Sequence, residues 1–181
     1  MKNILILLTT LSIAACDINK FELVNIESGT SAEVIIVPNA NPALIAFTYI
    51  NYDETSHKQE LSTLTGVDVT NTEWCAAFVN GVLDESNIPN NMDHKFPLTA
   101  RGFLDWGHIV QVPIPGDLVI FPRGDSDWQG HVGFYLSTII IDNVVYYHIL
   151  GGNQSNKVSI VLYRASKALG IRRYTKVGIN T

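Results

Sequence analysis

Two periodicities divide the chain. Between positions 42 and 106 apolar residues recur at helical spacing, and from Leu118 onward they come in short runs of strand type. Asn41-Pro42 reads as the cap and first residue of a helix over 42–52, with Leu44, Ile45 and Tyr49 inward. The stretch 53–69 is polar and mixed, and reads as a loop. Trp74, Ala77, Phe78, Gly81 and Val82 then follow at i, i+3, i+4, i+7 and i+8 behind a capping Asn71 or Thr72. This predicts a helix to about Glu85. Phe78, Val79, Val82 and Leu83 make it apolar on more than one face, so it should be the buried central helix. Ile88-Pro89-Asn90-Asn91 breaks the chain, and a shorter helix over 97–106 is stopped by Gly107.

After the Pro115-Gly116-Asp117 turn the predicted strands are 118–121, 131–141, 144–150, 158–163 and 170–174. A polar loop, 123–129, precedes the second, and Asp142-Asn143 turns the second into the third as a hairpin. Helices first and antiparallel strands afterwards spell an α+β fold, a small antiparallel sheet or half-barrel packed against the central helix. Asp117 reads as a turn residue.

Composition narrows the classes. The chain has 181 residues, 46% hydrophobic and 16% charged, which suits one packed domain. A net charge of −5 carries no basic footprint, so nucleic acid is not expected as a partner. Lys2 and the apolar run from Ile4 to Ala15 read as a secretory signal, too short for a permanent span. The run ends in Ile13-Ala14-Ala15-Cys16, which resembles the bacterial lipobox. That resemblance implies a signal peptide over 1–15, a lipid on Cys16, anchorage to a membrane and a place in the periplasm or cell envelope. Residues 16–38 read as a tether, with Val34 to Val37 as a short edge strand.

The anchor settles the cysteine arithmetic. Of two cysteines, Cys16 would carry lipid, which leaves Cys75 without a disulfide partner in an oxidising compartment. Cys75 falls in the first turn of the central helix. Unpaired N–H groups and the dipole favour thiolate there, so a low pKa is expected. A small buried hydrophobe is the plainer alternative. A thiolate needs a base, and the base needs a group that holds its tautomer. His131, between Gly130 and Gly133 at the start of a strand, is the candidate base. Gly151-Gly152-Asn153-Gln154 ends the neighbouring strand and brings Asn153 beside His131 as the orienting acceptor.

Four stretches in order, Trp74-Cys75-Ala76-Ala77-Phe78-Val79, Pro115-Gly116-Asp117-Leu118-Val119-Ile120-Phe121, Gly130-His131-Val132-Gly133-Phe134-Tyr135 and Leu150-Gly151-Gly152-Asn153-Gln154, carry a resemblance. Together they resemble the CHAP and NlpC-type cysteine peptidases and amidases of bacterial cell walls, over about 41–174. The resemblance implies a papain-like fold and a catalytic domain over 39–181. It implies Cys75 as nucleophile, His131 as base and Asn153 as third member. The substrate would be a peptidoglycan stem peptide or muropeptide, cut at an amide by a monomer without metal or cofactor. A catalytically silent lipoprotein that binds cell-wall peptide or a partner, and a thiol acyltransferase, are the alternatives.

Some CHAP enzymes have Glu where this chain has Gly151, and the NlpC type has a third histidine. His148 is therefore the reserve for the third place, and strand alternation leaves its direction open. His57, His94 and His108 read as surface residues. Trp74, Trp128, Gly152 and Gln154 are the expected substrate-binding residues, with Trp128 the better cleft wall and Trp74 also fitting the core.

Overall fold

A computed structural model describes residues 41–175. The signal peptide and tether expected over 1–38, with Cys16 and the edge strand expected at Val34 to Val37, lie outside the described residues. Among the described residues the architecture is α+β: three α-helices and two short 3₁₀ turns accompany an open antiparallel sheet of six strands.

Helix α1 runs Pro42–Thr48, and Asn41 caps it by accepting the Ala43 N–H at 3.0 Å. It is shorter than the expected 42–52. Helix α2, Lys58–Thr65, occupies a stretch read as loop; it turns only Leu61 and Thr65 fully inward and ends at Gly66 with φ 69°. Its mostly polar surface hid the helical period. Helix α3, Cys75–Glu85, is buried along most of its length, as the central helix should be. Trp74, not Asn71 or Thr72, occupies its cap position, and makes no side-chain cap bond. Helices α2 and α3 cross at Gly81, where a Cβ would run into the Leu64 backbone. The helix predicted over 97–106 is a 3₁₀ turn, Ala100–Asp105.

The strands are β1 His108–Ile109, β2 Leu118–Pro122, β3 Gly130–Ile141, β4 Val144–Gly151, β5 Ser159–Arg164 and β6 Gly170–Arg173. Their order across the sheet is β1-β6-β2-β3-β4-β5. The β3–β4 hairpin turns at Asp142 and Asn143, both at positive φ, which Asp and Asn tolerate better than most residues. The very short β1 was not foreseen. Asp117 serves its turn, as its sequence setting suggested: its Oδ2 accepts the Ile114 N–H at 2.7 Å. It also holds Arg173 of β6 through two bonds of 2.7 Å.

Alternation along the strands separates two hydrophobic clusters. Leu118, Ile120, Val132, Phe134 and Leu150 pack with α1, α2 and α3. Val119, Phe121, Tyr135, Ile149 and Ile171 form a smaller cluster from the opposite face. In that second cluster Tyr163 of β5 stacks on Phe121 of β2, with centroids 4.5 Å apart. Those strands are separated by β3 and β4, so the sheet curves strongly to bring them together.

Candidate active site

Cys75 is the first residue of α3 and forms part of the floor of an open cleft of about 450 Å³. Glu73 and Arg123 line one part of it, Leu98 to Ala100 another, and Trp128 to Gly130 with Asn153, Ser155 and Asn156 the rest. Cys75 is 4% exposed. It lies against the start of β3, where the Val132 N–H points to it, as does the Ala76 N–H of its own helix. The loop carrying Leu98 and Thr99 is fixed to α3 through buried Asn80, which donates to the Pro97 carbonyl at 3.0 Å and accepts the Asn91 N–H at 2.8 Å.

His131 immediately precedes Val132 and is buried, 1% exposed. It pairs across the sheet with Phe121, and its ring stacks on Tyr163 at 5.3 Å and 12°. Its Nε2 lies 3.1 Å from Gln154 Oε1. The Gln154 amide N–H₂ meanwhile faces the Ser159 and Gly151 carbonyls, which fixes the oxygen toward the histidine. His131 therefore carries its proton on Nε2, and Nδ1 is the basic nitrogen. Nδ1 is buried and has no hydrogen-bond partner among the described residues. A buried lone pair without a partner is costly unless it has a use.

The residue that orients His131 is thus Gln154, and the contact expected from Asn153 is not made. Asn153 faces the cleft rim, where its Nδ2 donates to Glu73 Oε2 at 2.7 Å and its carbonyl accepts Arg123 Nη2 at 3.1 Å. The turn explains the exchange. Asn153 takes a left-handed conformation, φ 55°, which turns its side chain away from the imidazole toward Glu73 and brings Gln154 to His131. Gly151 allows the approach, since a Cβ there would lie 3.1 Å from His131 Nε2.

The electrostatics also correct the sequence reading. Burial pushes the Cys75 thiol up from its ordinary value, and the Val132 N–H, the Arg123 charge and the Ala76 N–H offset this only in part. Burial first, and then the Arg123 charge, lowers His131 to about 4 against the hydrogen bond it donates to Gln154. At neutral pH the resting pair is thiol and neutral imidazole, not the low-pKa thiolate expected. No hydrogen bond joins Cys75 to His131 among those of the described residues.

The remaining candidates divide. Trp128 is 68% exposed on the cleft, as a wall should be. Trp74 is fully buried, its Nε1 donating to Glu54 at 3.2 Å, so it belongs to the core and does not line the cleft. Gly152 is buried too; a Cβ there would stand 2.5 Å from the Trp74 ring, so it lets the turn lie flat on α3. Gln154 touches His131 rather than the cleft space. His148 bonds Ser137 across the hairpin at 3.0 Å, away from the thiol cleft. His57 and His94 are half-buried and His108 is exposed. Sequence reasoning missed Arg123, Glu73 and Tyr163. Arg123 opens the stretch read as a polar loop and Glu73 directly precedes Trp74, and neither was assigned a role; nothing in the order of residues places Tyr163 against His131. Among the described residues no cluster of His, Cys, Asp and Glu would hold a metal ion, and no helix is long and apolar enough to cross a membrane. The chain matches no protein-family model and no curated protein.

Proposed function

We propose that the domain is a papain-like cysteine amidase or endopeptidase of the CHAP and NlpC kind, acting on peptidoglycan peptides. One observation carries this reading: a thiol at a helix N-terminus opens onto a cleft and meets the N–H of Val132, next in sequence to a buried histidine whose tautomer is set and whose Nδ1 has no partner among the described residues. The curved sheet and the nucleophile helix suit that fold.

Nδ1 of His131 takes the Sγ proton as the sulfur of Cys75 attacks the amide carbonyl carbon. The tetrahedral oxyanion forms near the unpaired N–H groups of the first α3 turn. The imidazolium then gives its proton to the leaving amine, and the carbon–nitrogen bond breaks to leave a thioester. Water attacks the thioester with His131 again as base, and releases the acid and the free thiol. Gln154 holds the ring through both proton transfers. Because both groups rest neutral, deprotonation accompanies attack instead of preceding it. A lipid on Cys16 would place this monomeric enzyme at a membrane in the cell envelope.

Muropeptides incubated with the protein and followed by mass spectrometry test the reading. New amine and acid ends should appear, and Cys75→Ala should abolish them without unfolding the domain. A second reading has one observation in its favour: the resting thiol is protonated and makes no hydrogen bond to His131. It is a cleft that binds cell-wall peptide without cutting it, and uncut but tightly bound muropeptide would establish it. Product extended by an added amine would reveal an acyltransferase instead.

A further inference from the structure

Arg123 immediately follows β2, and its side chain is 40% exposed at the cleft. Of its five N–H donors, Nη1 goes to Glu73 Oε2 at 3.2 Å and Nη2 to the Asn153 carbonyl at 3.1 Å. The other three have no partner among the described residues. Arg123 is also the one cation lining this cleft among them. Glu73 is loosely held, with its side chain 82% exposed. Its Oε2 nonetheless sits between the guanidinium and the Asn153 Nδ2, 2.7 Å away. One carboxylate oxygen thus lies between a planar cation and an amide N–H, at the mouth of a cleft floored by Cys75. A guanidinium fork and a neighbouring N–H form a receptor for a carboxylate, and the chain's own Glu73 supplies one there. Exposed ion pairs of this kind are weakly held, so Glu73 can be displaced.

We propose that Arg123 and the Asn153 side-chain amide bind a free carboxylate of the substrate, close to the scissile amide, in place of Glu73. The inference rests on the amidase reading and names its substrate class: peptides whose residue beside the cut bond is a free acid and not a carboxamide. Arg123 is close enough for its charge to act on both Cys75 and His131, so the bound carboxylate would stand near the reacting carbonyl.

The test uses the full chain with Cys75→Ala and two probes, a disaccharide-peptide with free carboxylates and the same compound amidated, each titrated calorimetrically. The acid should bind about ten- to a hundredfold tighter, the range of one charge-assisted contact. Arg123→Gln should erase that preference, and Arg123→Lys should keep part of it as a point charge without the fork. Equal affinity for the two probes, or no binding of either, overturns the subsite. So does a loss in Arg123→Gln that is the same for acid and amide, because Arg123 would then not be reading the carboxylate. With Cys75 intact, acid-selective binding without any cleavage would remove the hydrolase reading and leave the subsite. Cleavage indifferent to amidation would remove the subsite and leave the hydrolase.

Discussion

The two halves of the candidate catalytic pair are held in opposite ways. Cys75 grows out of a helix sunk in the larger apolar cluster, with Trp74, Ala76, Ala77 and Phe78 all fully buried around it. Its position is over-determined by packing. His131 enters from the other sheet face, across the strands from Phe121 and stacked on Tyr163, and its ring orientation depends on one polar contact to Gln154. The difference teaches where damage should appear. Changes around the thiol should cost stability, and changes around the imidazole should cost chemistry before they cost the fold.

The largest expected effect breaks the thiol side. Phe78→Ala opens a cavity against Trp74 and Tyr49, whose rings meet Phe78 edge to face at 6.2 Å. Urea unfolding should show a loss of about 3–5 kcal/mol, typical of a buried aromatic cut to alanine. A loss below about 1 kcal/mol would mean that the Cys75 helix is not the packing centre described above.

The imidazole side has its own stability signature in pH. The folded pKa of His131 is about 4, below the ordinary value near 6.5 of an unfolded chain. Between those values the unfolded chain binds a proton that the folded one refuses. The contribution is therefore fully present above pH about 6.5 and is lost as pH falls through about 4, by roughly 3 kcal/mol in all. Urea midpoints measured from pH 7 to 4 should fall accordingly, and His131→Gln should flatten the slope. An unchanged slope in that variant would assign the loss to other groups.

How much of this was legible before the structure follows the same division. The α3 helix, the β3–β4 hairpin and the Asn41-Pro42 start were readable because local periodicity and turn chemistry determine them. So was the meeting of the Gly151-Gly152-Asn153-Gln154 turn with His131. Which of Asn153 and Gln154 faces the imidazole was not readable, because a single left-handed residue reverses the answer. The pKa of Cys75 was misjudged for a related reason. A helix N-terminus is visible in a sequence, whereas the burial that outweighs it depends on the whole fold. Helix α2 was missed because its buried residues are few and its surface is polar.

A sharper test of the imidazole side compares two neighbours. Gln154→Ala frees the ring of His131 and leaves buried carbonyls without their donor, so stability should fall by about 1–3 kcal/mol. Turnover should fall by about a hundredfold, the order expected when a catalytic group loses its alignment. Asn153→Ala removes the bond to Glu73 and leaves the His131–Gln154 contact in place, so it should lower turnover less, mainly through KM. If Asn153→Ala proved the more damaging to kcat, the orienting role would return to it.

The smallest effect should come from Trp128. Its ring is 68% exposed, and its neighbour Gln129 is tied by its carbonyl to Arg101 Nε at 2.7 Å, so the loop does not need the indole to keep its course. Trp128→Ala should change unfolding free energy by no more than about 0.5 kcal/mol. The ring faces the same cleft as Cys75, where it offers a flat apolar wall to a sugar or peptide. An aromatic contact of that type contributes about 0.5–1.5 kcal/mol, so KM for muropeptide should rise by up to about tenfold with kcat nearly unchanged. Trp128→Phe should recover most of the loss, since it restores a ring and the indole makes no hydrogen bond among the described residues. A thermal midpoint lowered by several degrees, with KM unmoved, would make Trp128 a structural residue of the loop and leave the cleft without its aromatic wall.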